Sequence, residues 1–153
     1  MAIGGSNQKS VCNCTALRKA TRRVSQLYDS ALEPCGLRAT QRTILSQIAR
    51  TGTPPMGELA EALVMDRGAL THNLKPLQRD GLVKISADAQ DRRNRLIALT
   101  AQGRAKLAES DALWARAQRG FEASFGAAKS ASLRKTLEYL VSDNFVNAFN
   151  GHS

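Results

Sequence analysis

Histidine is almost missing from this chain: His72 and His152 are the only two among 153 residues. Neither has paired carboxylates or metal-ligand spacing around it, so acid–base and metal-assisted chemistry have little to build on. We therefore expect no enzymatic activity and no cofactor. Also missing is any run of ~20 apolar residues that could span a bilayer. The opening residues "MAIGGSNQKS" lack the basic start and apolar stretch of a secretion signal. A cytoplasmic chain with no membrane partner is the expectation. Cysteine is scarce and odd in number, and Cys12, Cys14 and Cys35 do not make a disulfide framework. In a reducing compartment they rest as thiols, and the "NCT" sequon at Asn13 carries no meaning. Acidic side chains are in deficit too. With 13 Asp+Glu against 22 Lys+Arg the net charge is +9, a balance suited to an anionic partner such as nucleic acid.

What is present is enough for one compact domain, with 42% hydrophobic residues. From Cys14 to Glu33 apolar residues fall at Leu17, Ala20, Val24, Leu27, Tyr28 and Ala31, a helical spacing that "EPCG" stops. A second helix carries Ile44, Leu45 and Ile48 and ends before "TGTPP". A third starts beside Pro55 and buries Met56, Leu59, Ala60 and Leu63. The fourth, from about Asp66 to Asp80, has Leu70, Leu74 and Leu77 on one face, Asp66 as N-cap and Gly81 as stop. Pro76 within it predicts a slight kink rather than a break. "LVKIS" and "RLIAL" form a hairpin with a long polar tip. Thr100 then caps a long helix closed by Gly126, with Leu107, Trp114, Ala117, Phe121 and Phe125 as its core stripe. One last helix runs from about Ser130 to Phe149, and the ends, 1–10 and 150–153, are expected to be loose.

A short helix supporting a second one, followed by a basic-tipped hairpin, is the order by which helix-turn-helix proteins aim side chains into a major groove. The face of the fourth helix opposite its leucines presents Arg67, Thr71, His72, Asn73 and Lys75, which can bond base edges and phosphates. In "DAQDRRNR" three arginines crowd a tip too long for a tight turn. An arginine there suits the negative potential of a narrow A·T-rich minor groove. Asp91, two residues from Arg93, can hold that arginine extended, while Arg92 and Arg95 serve phosphates. Each of these features alone is also compatible with a solvated polar surface. Arg18, Lys19, Arg22 and Arg23 on the first helix are read as such a surface.

The stretch "LAEALVMDRGALTHNLKPLQRDGLVKISADAQDRRNRLIALTAQGRAKL" resembles the winged helix-turn-helix core of MarR-type bacterial transcription regulators. The resemblance rests on the LA pair of the supporting helix, the "LQRDGLV" exit, the Asp91-x-Arg93 wing and the "LTAQG" entry to the long helix. "GLRATQRTIL" extends it, so that it covers roughly residues 14–149. It implies a mostly α fold with a small β-wing: a winged helix-turn-helix DNA-binding domain with N- and C-terminal dimerisation helices. It implies a repressor that binds a pseudo-palindromic operator in double-stranded DNA as a homodimer. Arg93 becomes the minor-groove arginine, Asp91 its partner, and Thr71, His72 and Lys75 major-groove contacts. One departure is Gly68, where a hydroxyl residue is more familiar. The expected organisation is a flexible tail (1–10), a dimerisation helix (11–36), the winged region (37–100) and C-terminal dimerisation helices (101–150), all in one compact chain. Wide apolar stripes on the outer helices argue for a dimer independently.

A regulator needs an input, and three remain open. Cys12 and Cys14 sit where the first helix begins, near Lys9, Arg18 and Lys19, a setting that favours a reactive thiolate. About twenty helical residues at ~1.5 Å each put Cys35 ~30 Å from Cys14, so any bond to it crosses the dimer. Alternatively Cys12, Cys14 and Cys35 hold a soft metal, or all three are inert. The rival input is a small aromatic or anionic effector in a cleft near Tyr28, Trp114 and Arg116 or Arg119. The contrasting function is a nonspecific architectural DNA-binding protein, which net charge alone permits.

Overall fold

The computed structural model describes residues 11–152. The tail expected over 1–10, with Lys9, lies outside the described residues. Helix α1 (Asn13–Leu32) runs into a single 3-10 turn at Glu33–Cys35, and Gly36 leaves that turn with φ +77°. Then come α2 (Ala39–Thr51), α3 (Met56–Ala62), α4 (Arg67–Arg79), the hairpin β1 (Val83–Ala87) and β2 (Arg95–Leu99), and helices α5 (Ala101–Phe125), α6 (Ala127–Leu140) and α7 (Asp143–Asn150). No helix among the described residues is long and apolar enough to cross a membrane.

The core gathers where the spacing of apolar residues places it. Ile44, Leu45 and Ile48 of α2, Leu59 and Ala60 of α3, and Leu70, Leu74 and Leu77 of α4 are all buried. They close on Leu32, Leu37, Leu82, Val83 and Ile97. Each Leu or Ile withdrawn from water contributes ~1.5–3 kcal/mol, so this small centre carries the winged core. Met56 and Leu63 are only half-buried against it.

Local chemistry fixes the ends. Asp66 accepts the Ala69 amide at 2.7 Å and starts α4, and the helix continues through Pro76 to Arg79. The turn before it forces Val64 to φ +53°, a conformation costly for a β-branched residue, and so sets a sharp corner between α3 and α4. Thr100 accepts the Gly103 amide at 2.9 Å and starts α5. The hairpin is antiparallel, with Val83 opposite Leu99 and Ala87 opposite Arg95, leaving residues 88–94 as the tip. The "TGTPP" segment does more than break the chain. The Ile97 amide donates to the Pro54 carbonyl at 3.0 Å and Pro55 pairs with Leu96, so this segment covers the outer edge of β2.

Two expectations are corrected. The last helix is two: α6 ends at Leu140, and Ser142 caps α7 by accepting the Phe145 amide at 3.3 Å. Apolar spacing continued across that break and concealed it. Of the five residues proposed as the core stripe of α5, only Leu107 packs against the buried core. Trp114 and Phe125 are 38% and 44% exposed, Leu107, Ala117 and Phe121 are half-buried, and the buried positions are the small Gly103 and Ser110. Beyond Leu107 the stripe lies on a face that the chain's own residues cover only in part.

Candidate nucleic-acid interface

Helix α4 turns Leu70, Leu74 and Leu77 inward, and the 3.6-residue period therefore presents Arg67, Thr71, His72 and Lys75 outward, all exposed. Thr71 donates to the Arg67 carbonyl at 2.7 Å, which orients its oxygen lone pairs outward. Asn73 departs from the group. It is half-buried, and its amide NH2 donates to the Ala69 carbonyl at 2.8 Å, so one of its donors is already used by its own helix. The absence of side chains at two positions matters here. A Cβ on Gly57 would meet the Arg67 guanidinium at 2.9 Å, so glycine gives that side chain room over α3. A Cβ on Gly68 would sit 3.2 Å from the Asp66 oxygen that caps the helix. The missing hydroxyl at 68 is thus exchanged for an uncrowded cap.

The hairpin tip is internally tied. The Asp88 amide donates to Asn94 O at 3.0 Å, the Asn94 amide to Asp91 O at 2.9 Å, and the Gln90 amide to the Asp88 carboxylate at 2.9 Å. On this frame Asp91 faces Arg93 in a two-point pair: Nε to Oδ1 at 3.2 Å and Nη2 to Oδ2 at 3.4 Å. The Arg93 backbone amide adds a bond to Oδ1 at 3.1 Å. Hydrogen bonds from the Arg93 side chain, and then from its backbone, hold the Asp91 carboxyl below the usual carboxylate range. The brace is present above that range and is lost only as pH falls through the lowered value. Arg93 itself is 91% exposed, a guanidinium fixed in direction yet open to solvent. Arg92 and Arg95 are exposed beside it.

A groove of about 680 Å³ joins α4 to the start of α2, with Arg38, Thr40 and Gln41 on one wall and His72, Lys75 and Arg79 on the other. Its one carboxylate, Asp29, is occupied by the Ala39 amide at 2.7 Å and by Arg38 at 4.0 Å. The sequence reading missed Arg38 and Arg79. Arg79 was signalled by its place four residues after Lys75 and seven after His72, whereas Arg38 comes from a distant segment and carried no such sign.

The cysteines are not brought together. Cys12 and Cys14 are exposed at the start of α1, and Cys35 is buried past its far end, donating to the Leu32 carbonyl at 3.1 Å. Among the described residues no group of three metal-binding side chains forms. Hydrogen bonds from the Thr15 hydroxyl and then the Thr15 amide lower the Cys12 thiol below the usual thiol range. Tyr28 lines an apolar groove of about 480 Å³ between α1 and α5 with Leu27, Ala117, Phe121 and Phe125, and donates to Gln118 at 2.8 Å. Trp114 is elsewhere, under the Arg42 guanidinium at 4.6 Å, and Arg116 and Arg119 are exposed.

Comparison with known proteins meets this geometry. A family model described as the MarR family matches residues 37–94. A transcriptional regulator of M. tuberculosis, MosR, solved with DNA, is 39% identical, with 84% of this chain and 97% of that one covered and a TM-score of 0.71. A probable transcriptional regulator from Pseudomonas aeruginosa is 30% identical, covering 82% and 93%, with a TM-score of 0.73. The transcriptional activatory protein BadR of Rhodopseudomonas palustris is 35% identical over 77 residues, 48% of this chain but only 44% of BadR.

Proposed function

Because the chain belongs to the MarR family, we propose that it is a sequence-specific DNA-binding regulator that sits as a homodimer on a pseudo-palindromic operator and represses transcription there. The observation that carries this reading is the Asp91–Arg93 pair, which aims an exposed guanidinium from a tied tip on the same molecule as an outward polar helix face. In the proposal Arg93 enters the minor groove, Arg67, Thr71, His72 and Lys75 face the major groove, and Arg92 and Arg95 take phosphates. Asn73 keeps its carbonyl oxygen for a base or water. Arg38 and Arg79 extend the positive wall along the backbone. A second copy covers the apolar side chains that one chain leaves exposed on α1, α5, α6 and α7, among them Leu17, Leu27, Phe125, Leu137 and Val146.

Selection from a pool of randomised duplexes tests the reading. The expected product is an inverted repeat whose half-sites lie about one helical turn apart. An unselective yield at every salt concentration favours the architectural alternative.

The input we propose is oxidation at Cys12. The thiolate attacks a hydroperoxide, whose O–O bond breaks: the distal oxygen stays on sulfur as a sulfenic acid and the remainder leaves as an alcohol, or as water from hydrogen peroxide. The sulfenic acid then condenses with a second thiol and releases water. Exposure and the lowered pKa support Cys12 as the attacking group, and burial removes Cys35 as a ready partner. Cys12→Ser and Cys14→Ser variants are expected to bind DNA normally when reduced. In gel-shift titrations after peroxide, they should keep binding that wild type loses; a wild type indifferent to peroxide contradicts the oxidative input. The second reading, a small aromatic effector, is supported by the Tyr28 groove between α1 and α5, where the effector would share Leu27 and Phe125 with the second copy.

A further inference from the structure

Two reading heads on one duplex must stand at a fixed separation, because half-sites recur with the helical turn of DNA, about 34–36 Å. In the dimer proposed above, with α5 in its seam, that separation depends within each protomer on the angle at which the winged core is carried on α5. The two are fastened by polar and backbone contacts at two places, beside the non-directional apolar packing of Leu107 and Leu113 on the core. At the first, Gly103 of α5 lies against the Leu82 carbonyl so closely that a Cβ would stand 1.9 Å from its oxygen. Thr100 also donates to the Gly81 carbonyl there, at 2.6 Å.

The second fastening is seven residues along α5, about 10 Å at ~1.5 Å per residue. Arg42 of α2 reaches across to it. Its Nε donates to the Ser110 hydroxyl at 3.0 Å, its Nη2 to the Asp111 carboxylate at 2.8 Å, and its guanidinium lies 4.6 Å from the Trp114 ring centre. Ser110 is fully buried and its hydroxyl donates a hydrogen bond to the Leu107 carbonyl at 2.6 Å, so its oxygen is oriented to accept from Arg42. The Arg42 side chain is only 13% exposed although charged. A planar fork used on three partners fixes direction as well as distance, which a lysine ammonium does not.

One fastening leaves a rotation about its own point; two, spaced along a helix axis, remove it. We propose that Arg42 is a positioning residue for DNA recognition, holding the winged core at one angle on α5 and thereby setting the half-site spacing that the dimer accepts. This inference rests on the dimeric DNA-reader reading above.

The test uses full-length protein, wild type and the variants Arg42→Ala, Arg42→Lys and Asp111→Asn. Each is titrated by gel shift at one salt concentration against the selected inverted repeat and against duplexes with its half-sites moved by one and two base pairs. Wild type should lose roughly tenfold or more in affinity per base pair of displacement, and Arg42→Ala should bind all spacings within about threefold of one another. Arg42→Lys should not restore the discrimination, and Asp111→Asn, at an exposed position that does not threaten folding, should weaken it. If Arg42→Ala or Asp111→Asn keeps the wild-type profile, or merely loses affinity equally at every spacing, the positioning role is overturned. A wild type that binds scrambled duplexes as well as the repeat instead removes the DNA-reader reading, and the inference with it.

Discussion

Arg93→Ala is expected to weaken operator binding by ~1–3 kcal/mol, a loss of roughly five- to 150-fold, without a comparable change in thermal stability. The side chain is 91% exposed and supports no core residue, so its removal costs the fold little. What it removes is a guanidinium delivered in a set direction. Asp91 has no other part in the proposed contact, since a carboxylate near phosphate is repelled. Asp91→Ala should therefore weaken binding less than Arg93→Ala, and the double variant should lose scarcely more than Arg93→Ala alone. Two independent contributions would add, so a double-mutant cycle measured on one duplex separates a brace from a contact.

Gly103→Ala is expected to be the most damaging Gly→Ala change among the described glycines. The added Cβ would lie 1.9 Å from the Leu82 oxygen and 2.9 Å from its carbonyl carbon, both backbone atoms that cannot turn aside. Overpacking of this kind costs ~1–3 kcal/mol and more where backbone must move, so the melting temperature should fall by roughly 6–12 °C for ~3 kcal/mol. The same methyl on Gly120, which has nothing within 4 Å, serves as the control and should leave the melt near that of wild type. A Gly103→Ala protein that melts with wild type would contradict the close approach of α5 to the start of β1.

Much of this was legible because local chemistry and global fold agree. The leucine triplet Leu70, Leu74 and Leu77 states both a helix and its inward face, and Asp66 and Thr100 each cap the helix they precede. The Asp91–Arg93 spacing likewise predicts its own pair. What was hidden depends on neighbours distant in sequence. Gly103 and Ser110 are the buried points of α5 because Leu82 and Arg42 come to them, and no periodicity in α5 marks a small residue as the inward one. The Trp114 stripe was visible, but periodicity does not say whether an apolar face meets its own core or another molecule. The break before α7 escaped because Ser142 caps a helix inside an uninterrupted apolar pattern. Arg38 joins the basic groove only through the placement of α2 against α4.

The proposed interface reads sequence rather than charge alone. It is tested most directly by titrating the protein against the selected inverted repeat and against the same duplex with both half-sites scrambled, at one salt concentration near 0.15 M. The repeat is expected to bind about a thousandfold tighter or more. Equal affinity for the two duplexes would contradict it.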